Sequence, residues 1–213
     1  MTRYGMVLDL NKCVACLGCM VSCKMEHLLP PGMSWCRVLV KEQGTYPSVG
    51  KTFQPIVCNH CKDAACVQVC PTGATNKRED GIVVVDYDKC VGCRYCMMAC
   101  PYGARYFNAK RERYFPGKGV TPLEEASDKE LQTGVVMKCT FCVEKIEEGL
   151  KKGLKPGVDK AATPSCVANC MTKARYFGDL DDPESEVSQL IRSNRGRQLH
   201  PEQGTDPSVY YIG

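Results

Sequence analysis

The sequence lacks a long apolar run. A helix that crosses a membrane needs about 20 predominantly apolar residues in succession, and no stretch of this 213-residue chain approaches that length. The start of the chain contains the acidic Asp9 and reaches Cys13 soon afterwards. From this pattern we expect neither a cleavable signal peptide nor a twin-arginine leader, and no direct insertion into a membrane.

Signatures of catalysis and of nucleotide binding are also missing. The chain has no phosphate-binding loop, no glycine-rich dinucleotide fingerprint and no recognisable pairing of a nucleophile with a base. No group of residues indicates a substrate site. We therefore predict that the chain catalyses no reaction by itself.

Cysteine, in contrast, is abundant. Sixteen of the seventeen cysteines fall into four quartets. The first and third quartets have the spacing C-x2-C-x2-C-x3-C, which is the bacterial ferredoxin signature for [4Fe–4S] clusters. The second quartet widens the middle gap to four residues, and the fourth stretches it to 23. In chain order the quartets are Cys13, Cys16, Cys19 and Cys23; Cys58, Cys61, Cys66 and Cys70; Cys90, Cys93, Cys96 and Cys100; and Cys139, Cys142, Cys166 and Cys170.

Disulfide bonds and structural zinc are the alternative uses of so much cysteine. Disulfide frameworks suit small secreted domains without an adequate core, whereas this chain is 44% hydrophobic. Zinc sites built from C-x2-C pairs explain neither three cysteines at that spacing nor the prolines after two quartets, Pro71 and Pro101. We predict four [4Fe–4S] clusters with all sixteen thiolates as iron ligands. Each cluster carries about −2 with its thiolates, so the formal net charge of +4 indicates no nucleic-acid partner.

The chain contains an internal duplication. The phrases DLNKC (9–13) and DYDKC (86–90) lie 77 residues apart, and each opens a quartet of identical spacing. A wider quartet follows each of them. So long a period indicates duplication of a ferredoxin-like unit rather than a solenoid.

Few secondary-structure elements are expected between the ligands. A strand is predicted at 4–10, a hairpin at 74–86 with Asp80 and Gly81 in its turn, and short helices at 20–28 and 97–100. A further helix is expected to begin with Asp182 as its N-cap and to end at Gly196.

The cysteine spacing leaves the pairing of the quartets open. In two-cluster ferredoxins the last cysteine of each motif ligates the other cluster. Quartets two and three are adjacent and share the trailing proline, which favours pairing them and leaves quartets one and four to pair around them. Pairing one with two and three with four follows the duplication more literally.

Several short phrases lie in and between the quartets and in the tail. They are NHC (59–61), CPTGA (70–74), CPYGAR (100–105), KCTFC (138–142), GDLDD (178–182) and GTDPSVYYI (204–212). Together with the quartets in this order, they resemble the four-cluster iron–sulfur subunit of the dimethyl-sulfoxide-reductase family of molybdoenzymes. The resemblance covers nearly the whole chain, and the segment 179–191 looks particularly like the respiratory arsenate reductase subunit, with the polysulfide, thiosulfate and tetrathionate reductase subunits close to it.

The resemblance implies a function in electron transfer. In that family this subunit relays electrons between a molybdopterin or tungstopterin catalytic subunit and a membrane quinone anchor or another redox donor. A free polyferredoxin, or the small iron–sulfur subunit of a hydrogenase- or formate-dehydrogenase-type complex, is the alternative. The resemblance also implies a periplasmic location, reached by co-export with a partner that carries a twin-arginine signal, with a cytoplasmic location as the alternative.

The resemblance further implies which cysteines share a cluster. Where nitrate-reductase-type members carry a tryptophan and hold a three-iron cluster, this chain has Cys93, so four cubane clusters are expected. The implied ligand sets are Cys13, Cys16, Cys19 and Cys170; Cys23, Cys139, Cys142 and Cys166; Cys58, Cys61, Cys66 and Cys100; and Cys70, Cys90, Cys93 and Cys96.

The expected fold class is α+β and loop-rich, with two ferredoxin-like modules of two [4Fe–4S] clusters, one nested in the other. The tail beyond the last ligands is not expected to be needed for holding iron. The predicted segments are 1–57 and 138–180 for the two halves of the outer module, 58–107 for the inner module, 108–137 for a surface insertion, and 181–213 for a C-terminal helix and partner-clasping tail.

Four other residues near the ligands are expected to have ordinary structural roles. Cys36, the seventeenth cysteine, has no neighbour at ligand spacing and is predicted to be a buried thiol. His27 and His60 are expected to hydrogen-bond or pack rather than to bind iron, and Trp35 to pack in the core.

Overall fold

A computed structural model describes residues 2–213 of the chain. The helices and strands of these residues are short, loops separate them, and the strands form several small sheets. This confirms the predicted α+β, loop-rich class. The strands are β1 Tyr4–Asp9, β2 Arg37–Thr45, β3 Ser48–Ile56, β4 Thr75–Lys77, β5 Val83–Val85, β6 Tyr106–Asn108, β7 Val135–Met137, β8 Arg175–Asp179 and β9 Val209–Ile212. The α-helices are α1 Gly18–Glu26, α2 Ala65–Gln68, α3 Tyr95–Met98, α4 Pro122–Glu130, α5 Val143–Lys151, α6 Ser165–Ala168 and α7 Glu186–Ser193.

A three-stranded sheet joins the two ends of the chain. β1 lies in its centre, antiparallel to β8 and parallel to β9. Three successive residues of β1, Met6, Val7 and Leu8, are fully buried, as is typical of a strand that is covered on both faces. Met6 and Leu8 belong to the main core, whereas Val7 packs with Val187 of α7 in a second, smaller cluster.

The end of the C-terminal tail is part of this core. β9 supplies the strand beside β1, and its Val209 and Tyr211 are buried. The backbone N–H of Ser208 donates to the carbonyl oxygen of Asn59 at 2.8 Å, so the tail supports the loop between the first two cysteines of quartet two. The expectation that the ligands do not need the tail does not fit these contacts, whereas contact of 181–213 with a partner stays a prediction.

Three two-stranded sheets complete the described strands. The β4–β5 hairpin confirms the one predicted at 74–86, and its Gly81 has a positive φ of 81°. β2 and β3 form an antiparallel ribbon whose side chains are mostly exposed, and no sequence pattern predicted it. β7 pairs with β6 and is buried, so the end of the predicted insertion 108–137 belongs to the core, while α4 lies within that segment.

The helices follow the predictions with shifted boundaries. α1 and α3 each begin two residues before the predicted starts. α7 begins after the N-cap Ser185 rather than after Asp182, because the Asp182 carboxylate accepts the backbone N–H of Glu184 and its carbonyl that of Ser185, which closes a turn. Within residues 2–213, no helix combines the length and the apolar character that a bilayer-crossing helix requires.

The repeated phrase before quartets one and three folds in the same way twice. The carboxylates of Asp9 and Asp86 each accept the backbone N–H groups two and three residues further on, at 3.0–3.3 Å. The backbone N–H of Asp9 donates to Ala174 O and that of Asp86 to Ala74 O, both at 2.8 Å. The residues before quartet one are thus joined to those after quartet four, and the residues before quartet three to those after quartet two.

The short helices show the same pairing. α1, which carries the end of quartet one, packs against α6 of quartet four, and α2 of quartet two packs against α3 of quartet three. Helix packing and backbone hydrogen bonds therefore bring together the same pairs of quartets.

A chain that ends at Gly204 should bind less iron and give less folded protein, because it lacks β9 and the backbone donor of Ser208. The measurement is iron per chain after anaerobic purification, beside a control chain that lacks only Gly213. Full iron content in the chain that ends at Gly204 would contradict the structural role of the tail.

Candidate iron–sulfur cluster sites

The segment between the first and second cysteines of every quartet contains a residue in the left-handed backbone conformation. The residue directly before the second cysteine has a positive φ, which is uncommon for residues other than glycine. For a non-glycine residue this conformation costs about 1–2 kcal/mol, so the surrounding structure must hold the bend in place. The four residues are Ala15 (53°), His60 (42°), Gly92 (66°) and Phe141 (56°).

Each ligand set implied by the resemblance defines one group of thiols. Group A comprises Cys70, Cys90, Cys93 and Cys96; group B comprises Cys58, Cys61, Cys66 and Cys100; group C comprises Cys23, Cys139, Cys142 and Cys166; and group D comprises Cys13, Cys16, Cys19 and Cys170.

Group B lines a single cavity, the walls of which contain all four of its cysteines. Burial, and after it the nearby thiols of Cys58, Cys66 and Cys100, raise the pKa of the Cys61 thiol to about 12, although a hydrogen bond with Thr205 lowers it. The four sulfur atoms are thus close enough to repel one another when ionised. Binding of iron would relieve this repulsion, since the ligands of metals are thiolates.

Several polar atoms around group B have no hydrogen-bond partner among the described residues. They are both amide atoms of Asn59, Nε2 of His60, and Nε and Nη2 of Arg105, and all three residues line the same cavity. An unpaired buried polar group costs about 1–3 kcal/mol. Free N–H donors beside four thiols suit the sulfur atoms of an iron–sulfur cluster, which accept hydrogen bonds. The residues present therefore fit a [4Fe–4S] cluster at group B.

Group C is buried throughout. Cys23, Cys139, Cys142 and Cys166 are each less than 10% exposed. Burial raises the pKa of the Cys23 thiol, and the thiols of Cys139, Cys166 and Cys142 raise it further. The imidazole Nε2 of His27 lies 3.3 Å from the sulfur of Cys142, and burial lowers the pKa of His27. The predicted hydrogen-bonding role of His27 is consistent with this contact.

Groups A and D lie nearer the surface. Cys93 of group A and Cys16 of group D are exposed. Burial raises the pKa of the Cys96 thiol. The charge of Arg105 lowers this pKa, whereas the thiols of Cys90 and Cys93 raise it, by smaller amounts. The backbone N–H groups of Thr75 and Ala174 donate to the sulfur atoms of Cys70 and Cys170, at 3.4 and 3.3 Å. Within groups B and C, the thiols affect one another's pKa values. The assignment of Cys70 to group A, and of Cys13 and Cys16 to group D, rests on spacing and resemblance.

Contacts between groups give them an order. Burial raises the pKa of the Cys139 thiol to about 12, and both Cys166 of its own group and Cys58 of group B add to the rise. Burial also raises the pKa of Cys166, with Cys19 of group D among the contributing thiols. Group C is therefore a neighbour of both group B and group D.

Arg105 connects the remaining pair. Burial lowers the pKa of this guanidinium, but Cys66 and Cys58 of group B and Cys96 of group A raise it, and the net shift is upward. A single buried cation thus contacts groups A and B. The neighbouring pairs of groups are therefore A and B, B and C, and C and D.

Cys36 and Trp35 are buried, as predicted. The contacts of Cys36 were not foreseen, because Nη2 of Arg175 lies 3.2 Å from its sulfur and 3.3 Å from that of Cys19. The seventeenth cysteine therefore lies beside a predicted ligand of group D. Trp35 packs against His27, with 4.6 Å between the ring centroids.

Three buried cations lie beside the groups and were not predicted: Arg105, Lys138 and Arg175. A signal for two of them exists, because Arg105 and Arg175 follow Cys100 and Cys170 by the same five residues. Composition alone does not reveal this, since the chain has 28 lysines and arginines and most basic side chains are solvated.

No three histidine, cysteine or carboxylate side chains of residues 2–213 converge on a point where a single metal ion would be held. A structural zinc site requires such convergence, with sulfur about 2.3 Å from the metal. In group B the four thiols instead line the walls of one cavity.

Residues 49–116 match the family model described as a 4Fe–4S dicluster domain. This segment contains quartets two and three in full.

Curated relatives match the chain over nearly its whole length. It is 45% identical to the putative dimethyl sulfoxide reductase iron–sulfur subunit of Halobacterium salinarum, over 100% of this chain and 79% of that protein. It is 39% identical to the arsenate respiratory reductase iron–sulfur subunit of a Shewanella species, over 99% of this chain and 96% of that protein. It is 37% identical to the menaquinone reductase iron–sulfur cluster-binding subunit of Nitratidesulfovibrio vulgaris, over 99% of this chain and 88% of that protein.

Each of these relatives is an iron–sulfur subunit, and the enzymes to which they belong are named for different reactions. With identities of 37–45% across the full chain, the protein belongs to the family of iron–sulfur subunits of reductases of the dimethyl-sulfoxide-reductase type, in which it is an electron-transfer subunit and not a catalytic one.

Proposed function

We propose that groups A to D each hold one [4Fe–4S] cluster and that the chain relays electrons between a molybdopterin- or tungstopterin-containing catalytic subunit and a membrane quinone anchor or another redox donor. Such clusters supply reversible one-electron chemistry. The observation that carries the proposal is that group A lies beside B, B beside C and C beside D, because a relay needs successive neighbouring sites.

Three independent features support the ligand sets. The backbone hydrogen bonds of Asp9 and Asp86 and the packing of the short helices pair quartet one with four and quartet two with three. The dicluster match covers the two inner quartets together. The mutual effects of the thiols on their pKa values join the members of groups B and C.

The same features support a nested pair of ferredoxin-like modules. The inner module is 58–107, and the outer module combines 1–57 with 138–180, since β1 and β8 pair across its two halves. We retain 109–134 of the predicted insertion as a surface segment, because β7 belongs to the core.

The inner groups B and C differ in burial from the outer groups A and D. Most of the cysteines of groups B and C belong to the main core or pack against it, so water has limited access to their thiolates. Groups A and D each contain an exposed cysteine, Cys93 and Cys16. The two ends of the series therefore reach the surface, where electrons can enter and leave.

Exposed apolar side chains surround both of these ends. Exposed apolar groups of this kind are typical of protein–protein contact sites, so each end is proposed to dock one redox partner. The residues are Val91, Tyr95 and Met98 beside group A, and Val14, Leu17, Val21 and Met171 beside group D.

The location of the complex is proposed from the family resemblance. We place it on the periplasmic side, with export alongside a partner that carries a twin-arginine signal. A cytoplasmic location is the alternative.

Replacing Val91 and Met98 with Gln should weaken the binding of one partner about tenfold or more, because neutral polar groups at an apolar contact leave unpaired hydrogen-bonding atoms. The corresponding change of Val14 and Val21 should weaken the binding of the other partner. Co-purification and electron-transfer rates with each partner are the measurements, and Val158→Gln, at an exposed apolar position that belongs to neither set, is the matched control. Unchanged binding in both double variants would argue against docking at the ends, and a monomer that rapidly reduces unrelated acceptors would favour a free polyferredoxin.

Replacing Cys36 with Ser should leave four clusters, since the other sixteen thiols complete four ligand sets. Replacing Cys93 with Ser should damage the cluster of group A, for example by conversion to a three-iron form. Iron content and electron paramagnetic resonance spectra distinguish these results. Loss of a whole cluster in the Cys36 variant would show that the ligand assignment is wrong.

A further inference from the structure

Four clusters inside one protein would bring much negative charge into its interior. Each cluster with four thiolates carries about −2, and reduction adds another negative charge. Buried charges are costly unless opposite charges lie nearby. Among residues 2–213, Arg105, Lys138 and Arg175 are buried cations, at most 4% exposed, and none of the three forms an ion pair with an Asp or Glu in the described residues.

Arg105 lies between groups A and B. It lines the cavity of group B, and its guanidinium is also close to Cys96 of group A. Nη1 donates to the hydroxyl of Thr75 at 3.2 Å, while Nε and Nη2 have no partner in the described residues. Thr75 holds one edge of the guanidinium, and the other donors remain free to face the sulfur atoms of the neighbouring groups.

Arg175 has the corresponding position between groups C and D. Its Nη2 lies 3.3 Å from the sulfur of Cys19 in group D and 3.2 Å from that of Cys36, and the thiol of Cys166 in group C is also close to it. The guanidinium thus contacts sulfur rather than carboxylate.

Lys138 lies between groups B and C. It directly precedes Cys139 of group C, and its Nζ donates to the carbonyl oxygens of Cys139, at 2.6 Å, and Val83. Val83 belongs to the wall of the group B cavity, and the charge of Lys138 also acts on Cys66 of that group. The ammonium is fixed by backbone acceptors, so that its charge stays at this junction.

We propose that Arg105, Lys138 and Arg175 are charge-compensating residues of the relay, one at each of the three junctions A–B, B–C and C–D. The inference rests on the proposed cluster sites, and it concerns what these side chains do to them. Each fixed positive charge stabilises the reduced state of both flanking clusters, because Coulomb energies are larger away from water. It also offsets the repulsion between an electron on one cluster and the negative charge of the next.

The residues act as constant charges. An electron that moves along the series oxidises one cluster and reduces its neighbour, while the three side chains take no part in the transfer. A purely structural role, in which Arg105 only anchors Thr75, predicts no effect on reduction potentials.

Charge removal at each junction gives a pattern that does not depend on assigning signals to groups. In Arg105→Gln two of the four centres should shift to lower potential, and in Arg175→Gln the other two. In Lys138→Gln one centre from each pair should shift. The expected size is about a tenfold loss in the equilibrium constant for reduction, which for a one-electron couple is 59 mV.

The measurement is a redox titration of the isolated holoprotein, followed by electron paramagnetic resonance and accompanied by iron content. Arg78→Gln is the matched control. It removes the same positive charge, but from an arginine that pairs with the carboxylates of Asp80 and Glu147 rather than with thiols. Arg105→Lys and Arg175→Lys retain the charge and should restore most of the potential.

Every result of this experiment decides the inference. Glutamine variants that keep their iron at unchanged potentials, or that shift all four centres equally, would overturn it. If the glutamine variants lose iron, retention of iron by the lysine variants supports a requirement for charge, whereas loss in those as well shows a packing role and overturns the inference. An unmodified protein without iron–sulfur clusters would instead refute the proposed function itself.

Discussion

Bonding of iron by thiolate is the constraint on which the proposed arrangement depends. Four thiolates at each site must face one cluster, and burial together with mutual repulsion raises the pKa values of the thiols of Cys23 and Cys61. Without metal these thiols favour the protonated state. Bonds to iron remove the protons and contribute folding free energy at the same time, which suits a loop-rich chain whose described strands are as short as three residues. Four of the predicted ligands, Cys23, Cys58, Cys139 and Cys166, belong to the main core.

Duplication meets this constraint twice with the same local chemistry. The carboxylates of Asp9 and Asp86 fix the approach to two narrow quartets, and their backbone N–H groups tie each approach to the end of a wide quartet. Arg105 and Arg175 each follow the last cysteine of a quartet by five residues, but these quartets, three and four, are not counterparts in the duplication. The repeat thus extends beyond the cysteines to the turns before the narrow quartets and to the hydrogen bonds that join these turns to the wide quartets. The central sheet then joins the two ends of the chain by pairing β1 with β8 and β9.

The sequence predicted what local patterns determine. The strand β1 and the turn of the β4–β5 hairpin each depend on neighbouring residues, and these predictions are confirmed. The cysteine ladders are local patterns as well, and their role as iron ligands stays a prediction. The β2–β3 ribbon was not predicted. Its side chains are mostly exposed, so apolar and polar residues alternate little along its strands. The start of α4 carries a capping box of Thr121 and Glu124, a signal that was present in the sequence but overlooked in a charged segment. The place of β9 beside β1 and the proximity of Cys36 to Cys19 depend on residues far apart in the chain, and no local pattern reveals them.

The central claim is that the four thiol groups hold four [4Fe–4S] clusters in series. Quantification of iron, acid-labile sulfide and zinc in the anaerobically purified protein, with electron paramagnetic resonance of the reduced form, tests it most directly. Four clusters require about sixteen irons and sixteen sulfides per chain, signals of interacting [4Fe–4S]⁺ centres, and no three-iron signal in intact protein. Zinc in place of iron, or about half the expected iron and sulfide in fully loaded protein, would contradict it.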